Sequence, residues 1–294
     1  MSTASRPSPS GPPKAVVQGE FPFTNEDFRR IAGLLYESSG ISLPDSKATL
    51  VYSRLAKRLR ALGVASFRDY CAMVASPEGV EERHNMLTAL TTNVTRFFRE
   101  PHHFDHVLEH VIRPALDQVR KGGRLRIWSA GCSSGQEPYS LALTILSAMP
   151  DAANYDIKIL ATDIDTNVLA TGREGIYSED LIEPIPAAVR SRWLERESAN
   201  SRNWRVGEAA RSLVSFRELN LMTEWPMKGQ FQAIFCRNVV IYFDEPTQER
   251  IFTRFHGRLL PEGRLYVGHS ERVGVPGFET DGLTCYRQVG VRRA

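Results

Sequence analysis

The spacing of apolar residues along this chain changes once, near residue 100, and the change separates two kinds of structure. From 21 to 93 apolar positions recur at helical intervals: Phe28, Ile31, Leu34 and Leu35 follow Thr24, whose hydroxyl suits an N-cap ahead of Glu26 and Asp27. A second helix is expected over 47–62, with Val51, Leu55, Leu59 and Leu62 on one face and Gly63 placed to end it. Shorter helices are expected over 66–74 and 80–91, which makes this region a small all-α domain spanning 21–95. Ahead of it, 1–20 are rich in Ser and Pro with little apolar content beyond Val16 and Val17. Such a segment cannot offset the entropy of ordering and reads as a disordered leader.

Past Pro101 short apolar runs alternate with amphipathic ones. Helices are expected over 103–121, 141–149, from 166 and over 246–260, with strands over 125–129, 157–162, 213–217, 231–236 and 265–268. Strands alternating with helices predict an α/β class, a doubly wound, Rossmann-like parallel sheet with helices on both faces, over 96–294. The interval 175–215 breaks the rhythm. It is long, charged and carries Trp193 and Trp204, and is expected to be an inserted subdomain with a small antiparallel sheet.

Composition narrows the classes. The net charge of +3 is the small difference between 37 basic and 34 acidic side chains, so no broad nucleic-acid surface is expected. Cys71, Cys132, Cys236 and Cys285 are scattered, without histidines at ligand spacing, and read as reduced thiols and not as a metal site. No apolar run approaches the roughly 20 residues of a membrane helix, and a cytoplasmic protein without membrane insertion is expected.

The candidate chemistry lies where strands end, because ligands of a doubly wound sheet bind at the strands' carboxyl ends. The segment Arg124-Leu-Arg-Ile-Trp-Ser-Ala-Gly-Cys-Ser-Ser-Gly-Gln-Glu-Pro-Tyr-Ser140 runs from strand through a glycine turn into a helix. Its Gly-x-x-x-Gly spacing lets the backbone approach a ligand but is not the dinucleotide fingerprint. Later strands deliver Asp163 and Asp165, then Asn220, then Asn238 and Tyr242. Asp163 suits a ribose diol, whose two hydroxyls one carboxylate can accept; it equally suits a helix cap. Asn220 equally suits a turn. In Thr91-Thr-Asn-Val-Thr-Arg-Phe-Phe-Arg-Glu100, Phe97 and Phe98 are expected to pack between the domains while the polar residues fold over the cleft.

These segments, with Ala-Thr-Asp-Ile-Asp at 161–165, Leu-Asn-Leu at 219–221 and Cys-Arg-Asn-Val-Val-Ile-Tyr-Phe at 236–243, together resemble the CheR-type chemotaxis receptor methyltransferases, in order from residue 21 to the C-terminus. The resemblance implies an S-adenosylmethionine-dependent catalytic domain without a metal, leaving S-adenosylhomocysteine as product. It implies O-methylation of glutamate side chains in the cytoplasmic domains of methyl-accepting chemoreceptors, the adaptation step of chemotaxis. The family's cofactor contacts fall on Asn93, Thr95, Arg99, Glu137, Asp163, Asn220, Leu221, Asn238 and Val239, and Tyr242 lies at the methyl end. The inserted subdomain resembles one that grips a receptor tail pentapeptide in some members. It lacks their Gly-Tyr-Gly-like insertion, so the resemblance does not support tail tethering.

A carboxylate is already a nucleophile at neutral pH, so catalysis requires alignment and exclusion of water; Arg99 is the candidate to steer it and Tyr242 to close the site. For docking, Lys47, Arg54 and Arg58 are spaced along one side of the second helix as a positive ridge facing acidic receptor helices. The same ridge reads equally as a solvated flank. Two other functions stay open from the residues alone: a methyltransferase for another substrate, and a cofactor-sensing adaptor without catalysis.

Overall fold

In the computed structural model residues 15–91 and 93–290 are described, and they form two compact units meeting between Leu90 and Thr91. Most of the expected leader lies outside the described residues. Its last part does not match the expectation: Ala15–Val17 forms strand β1, paired antiparallel with β2 at Phe23–Thr24.

The first unit is helical. Thr24 caps Asn25–Ser39 as expected, with a capping box in which the Asp27 N–H donates to the Thr24 hydroxyl (3.1 Å) and the Thr24 N–H to the Asp27 carboxylate (3.0 Å). Ala48–Leu62, Phe67–Ala75 and Val80–Leu90 follow within a residue or two of their predicted bounds. Their apolar faces close over Phe23, whose ring centroid lies 4.4 Å from that of Phe67.

On the second helix two members of the expected ridge also carry contacts of the fold while staying half-exposed. Arg54 Nη1 donates to the Leu90 carbonyl at 2.9 Å, capping the last turn of Val80–Leu90. Arg58 forks onto Glu82, which is buried and also accepts the Tyr70 hydroxyl at 2.8 Å. Burial alone would raise the Glu82 pKa, but Arg58 and Tyr70 hold it below its ordinary value. Both arginines of the ridge therefore serve the fold, Arg58 because a guanidinium facing an unmatched buried carboxylate is drawn to it; Lys47 is exposed.

The second unit is a seven-stranded sheet. Strands β3 (Leu125–Ala130) and β4 (Ile157–Asp163) lie parallel; β5 (Ile176–Ser178), β6 (Leu194–Arg196) and β7 (Asn203–Val206) form the expected separate antiparallel sheet. Strands β8 (Val214–Glu218), β9 (Phe231–Cys236) and β10 (Leu259–Val267) continue the parallel ladder. β11 (Phe278–Gly282) and β12 (Cys285–Gln288) form an antiparallel hairpin that the apolar pattern does not announce, because Glu, Asp and Gly alternate through a half-exposed edge strand. The order is β11-β12-β10-β9-β3-β4-β8. From β3 the chain first winds through β4 to β8 and then returns to β9 on the other side, so the switch point lies between β3 and β9.

Helices cover both faces. Gln136–Ala148 begins five residues before the predicted 141, since Pro138 falls in the first turn, where its missing N–H needs no partner. The 102–120 helix widens into a π turn at Leu108–Ile112 just ahead of Pro114. Phe97 and Phe98 join this unit's core: Phe97 packs edge-on against Tyr177 at 5.0 Å and Phe98 against Phe104 at 5.2 Å. This replaces the expected packing between domains with burial inside the sheet unit. No helix among the described residues is long and apolar enough to cross a membrane.

Candidate active site at the sheet switch point

The crevice between β3 and β9 is built from backbone first. After β3 the N–H groups of Gly131 and Cys132 donate to the Thr162 carbonyl (2.8 and 2.9 Å), holding the glycine turn against the end of β4. Gly131 is obligatory here: a Cβ would lie 2.4 Å from Val239 Cγ2, so the turn and the loop after β9 nearly touch. Four residues other than glycine take the left-handed region in these loops and in the strip 93–100, namely Phe98 (φ 50°), Glu100 (55°), Ser133 (49°) and Asn238 (59°). Strained backbone of this kind is retained where surrounding contacts dictate it, as at a site.

Two acids stand at the end of β4 and divide the roles the sequence left open. Asp165 caps Thr166–Glu174, accepting from the Asn167 N–H at 2.9 Å. Asp163 is thereby not the helix cap; its carboxylate accepts from the Ser133 and Asp165 N–H groups at 2.8 and 3.0 Å. Burial raises its pKa, against the backbone hydrogen bonds from Asp165 and Ser133 that pull it down. The strip closes on the same corner, as Asn93 Nδ2 donates to Asp165 Oδ2 (2.7 Å) and Ser133 Oγ to the Asn93 carbonyl (3.0 Å).

A second cluster lies at the ends of β3 and β9. Arg237, its side chain 2% exposed, donates to Glu137 Oε2 at 3.2 Å, pairs with Glu100 at 3.1 Å and also donates to the Arg99 carbonyl. Glu137 in turn accepts the Ser129 hydroxyl at 2.7 Å. Burial pushes Glu137 up despite Arg237. Glu100 is also desolvated, yet the Arg237 charge and the His269 hydrogen bonds bring it down to about 2. One guanidinium thus serves two carboxylates and ties the strip to the glycine loop.

Of the sequence-derived residues, Asn93, Glu137, Asp163, Asn238 and Val239 converge on this crevice. Thr95 is half-buried on the strip and Leu221 is buried beyond β8. Asn220 closes a turn, accepting the Met222 N–H on its side-chain oxygen at 2.9 Å. Arg99 donates from Nη1 to the Val94 carbonyl at 3.0 Å, so its guanidinium stays on the strip and does not pair with Glu100. Tyr242 is half-buried on the short turn Val240–Tyr242 that follows Val239. Lys47, Arg54 and Arg58 belong to the helical unit. Sequence reasoning missed Arg237, Glu100 and Glu271. A charged residue set directly after an apolar run, as Arg237 follows Cys236, was the available signal.

The donor set fits S-adenosylmethionine. Asp163 offers a carboxylate to a diol, Glu137 an anion to an ammonium, and the absent Cβ at Gly131 leaves the backbone approachable. Residues 93–281 match the family model for the CheR methyltransferase SAM-binding domain, and 26–91 the model for the CheR methyltransferase all-alpha domain. A probable chemotaxis protein methyltransferase of Rhizobium etli is 54% identical over 259 residues, covering 86% of this chain and 96% of that protein. Chemotaxis protein methyltransferase 2 of Pseudomonas aeruginosa is 46% identical over 256 residues (86% and 88%), and the Salmonella typhimurium chemotaxis protein methyltransferase 39% over 284 residues (95% and 96%). Both units match parts of one methyltransferase family, the sheet unit its S-adenosylmethionine-binding domain, so the class is that of an S-adenosylmethionine-binding methyltransferase. This chain belongs to the CheR methyltransferase family.

Proposed function

We propose that this protein transfers the methyl group of S-adenosylmethionine to glutamate side chains in the cytoplasmic domains of chemoreceptors, forming methyl esters. The observation that carries the reading is Asp163: a nearly buried carboxylate at the end of β4, relieved of capping by Asp165 and facing the switch point. Bound at the crevice, the cofactor supplies an electrophilic methyl on a positive sulfur. Asp163 would accept the ribose hydroxyls and Glu137 would receive the ammonium, with Asn238 and Val239 among the residues that would hold the cofactor. Asn93, Thr95, Asn220 and Leu221 complete the contacts.

The substrate glutamate is ionised at neutral pH, so no side chain has to remove a proton. What the chain supplies is alignment and dryness. Arg99 steers the incoming carboxylate by charge-assisted pairing, and Tyr242 closes the methyl end against water, which would solvate both charges. Docking through the exposed Lys47 is part of this reading, with Arg54 and Arg58 acting through the fold that presents it.

The test is labelling with methyl-tritiated S-adenosylmethionine and membranes containing the cognate receptors, followed by release of volatile methanol in base. Wild-type protein is expected to give base-labile label on receptors. Asp163→Ala should weaken S-adenosylhomocysteine binding by about tenfold or more, and Arg99→Ala should lose about 100-fold in rate while keeping its melting temperature. Label on receptors that is stable to base would exclude ester formation, and wild-type rates for Arg99→Ala would remove that residue from the reaction.

A further inference from the structure

Glu271 is 3% exposed, and among the described residues it forms no ion pair. Its carboxylate instead gathers four backbone N–H groups. Oε2 accepts from Asn238 (2.8 Å) and Gly268, and Oε1 from Val239 (2.9 Å) and Ile241 (3.2 Å). Burying a carboxylate without a counter-charge is costly, and charge-assisted bonds to several N–H groups are what make it tolerable. The donors come from two loops, those after β9 and β10, which are neighbours at the carboxyl edge of the sheet.

The geometry brings those loops backbone to backbone. A turn closed by the Glu271 N–H to the Gly268 carbonyl (2.9 Å) folds the side chain back toward β9. At Gly268 a Cβ would lie 2.5 Å from Asn238 Nδ2 and 2.8 Å from Asn238 N, so nothing larger than glycine fits between the loops. Asn238 takes the left-handed conformation and directs Val239 against Gly131 of the glycine turn. Val240, fully buried, anchors the loop in the apolar core. The apolar anchor sets how deep the loop sits. The carboxylate, bonding N–H groups on both sides of that anchor, sets how it is turned.

We propose that Glu271 is a positioning residue for methyl transfer: by clamping the Asn238–Ile241 backbone it orients Asn238 and Val239 at the cofactor crevice and sets the approach of Tyr242. This inference rests on the reading of that crevice as the S-adenosylmethionine site. Because Val240 remains, removing the carboxylate should disorder the loop without unfolding the unit.

Two variants and one wild-type measurement test it. Glu271→Gln keeps the shape but turns an NH2 toward N–H donors; Glu271→Asp keeps the charge on a shorter arm. Calorimetric titration with S-adenosylhomocysteine, well below each variant's melting temperature, should show binding about tenfold weaker for the Gln variant and intermediate for the Asp variant. The KM for S-adenosylmethionine should rise in step while the receptor KM stays put, a split that general loss of folded protein does not produce. In the wild type, the amides of Asn238, Val239 and Ile241 should exchange as slowly as those of β10 although they lie outside any strand. Wild-type affinity in a folded Gln variant would overturn the proposal. So would fast exchange of those amides in the wild type, a result that needs no variant to fold. Wild-type protein that binds no S-adenosylhomocysteine would instead defeat the crevice reading, and slow exchange would still identify Glu271 as the clamp.

Discussion

Each unit of this protein buries a cluster of charged side chains, and the two are balanced differently. In the helical unit Glu82 is matched one to one with Arg58, and Tyr70 and Asn85 supply its remaining donors, so its pKa falls. In the sheet unit Arg237 is shared by Glu100 and Glu137, while Asp163 and Glu271 are held by backbone N–H groups; Glu137, Asp163 and Glu271 all rise. The first cluster is closed and holds a fold together. The second is short of positive charge at the one place where the proposed ligand brings a sulfonium and an ammonium. A matched buried pair is a device of stability, whereas a surplus of carboxylates at the strand ends is complementary to a cation that arrives later.

The largest effect should come from unbalancing the second cluster further. Arg237→Met leaves Glu100 and Glu137 facing each other and frees the Arg99 carbonyl, which should cost about 3–5 kcal/mol of stability in the sheet unit and abolish S-adenosylhomocysteine binding. A chemical denaturation curve matching wild type would show that Arg237 holds neither carboxylate in place. The helical cluster should respond more mildly and only in stability. Arg58→Met should cost about 2–3 kcal/mol, less because the guanidinium is partly exposed, with cofactor affinity unchanged; adding Glu82→Leu should recover part of the loss. No recovery in the double variant would mean that Arg58 acts through packing and not through its pair.

The smallest effect is in pH dependence. His103, fully buried against the loop before β12, accepts or donates at Thr284 Oγ1 (2.9 Å), and burial with the nearby Arg237 charge lowers its pKa to about 3. A histidine depressed in the folded state binds its proton only after unfolding, so its contribution is complete above about pH 6.5 and is lost as pH falls toward 3. The sheet unit should therefore lose up to about 1.4 kcal/mol per pH unit below pH 6.5 from this group, while the helical unit keeps its Glu82 contribution down to the ordinary glutamate range and loses it only as pH falls from there toward the lowered folded value. Calorimetric scans between pH 7 and pH 5 check the order, and His103→Gln should flatten the first slope. Equal acid sensitivity of the two units, unchanged in that variant, would assign no such role to His103.

Features that depend on neighbours a few residues apart are legible from local spacing. The Thr24 cap, the helix ended by Gly63, the exact run Phe231–Cys236 and the inserted antiparallel piece all follow from local spacing, and Gly131, Asp163 and Asn238 could be named because a ligand site in a parallel sheet lies just past each apolar run. Tertiary structure alone decided the partners of the charges. Arg54 and Arg58 look like solvent-facing cations at helical spacing, and only the arrival of Val80–Leu90 turns one into a cap and the other into half of a buried pair. Asp163 and Asp165 are interchangeable on paper until the helix start selects Asp165. Arg237 meets Glu137 across 100 residues of sequence and Glu271 meets Asn238 across 33, separations at which no periodicity survives. Backbone propensity and apolar pattern act locally, while a buried charge is defined by whatever the completed fold sets against it.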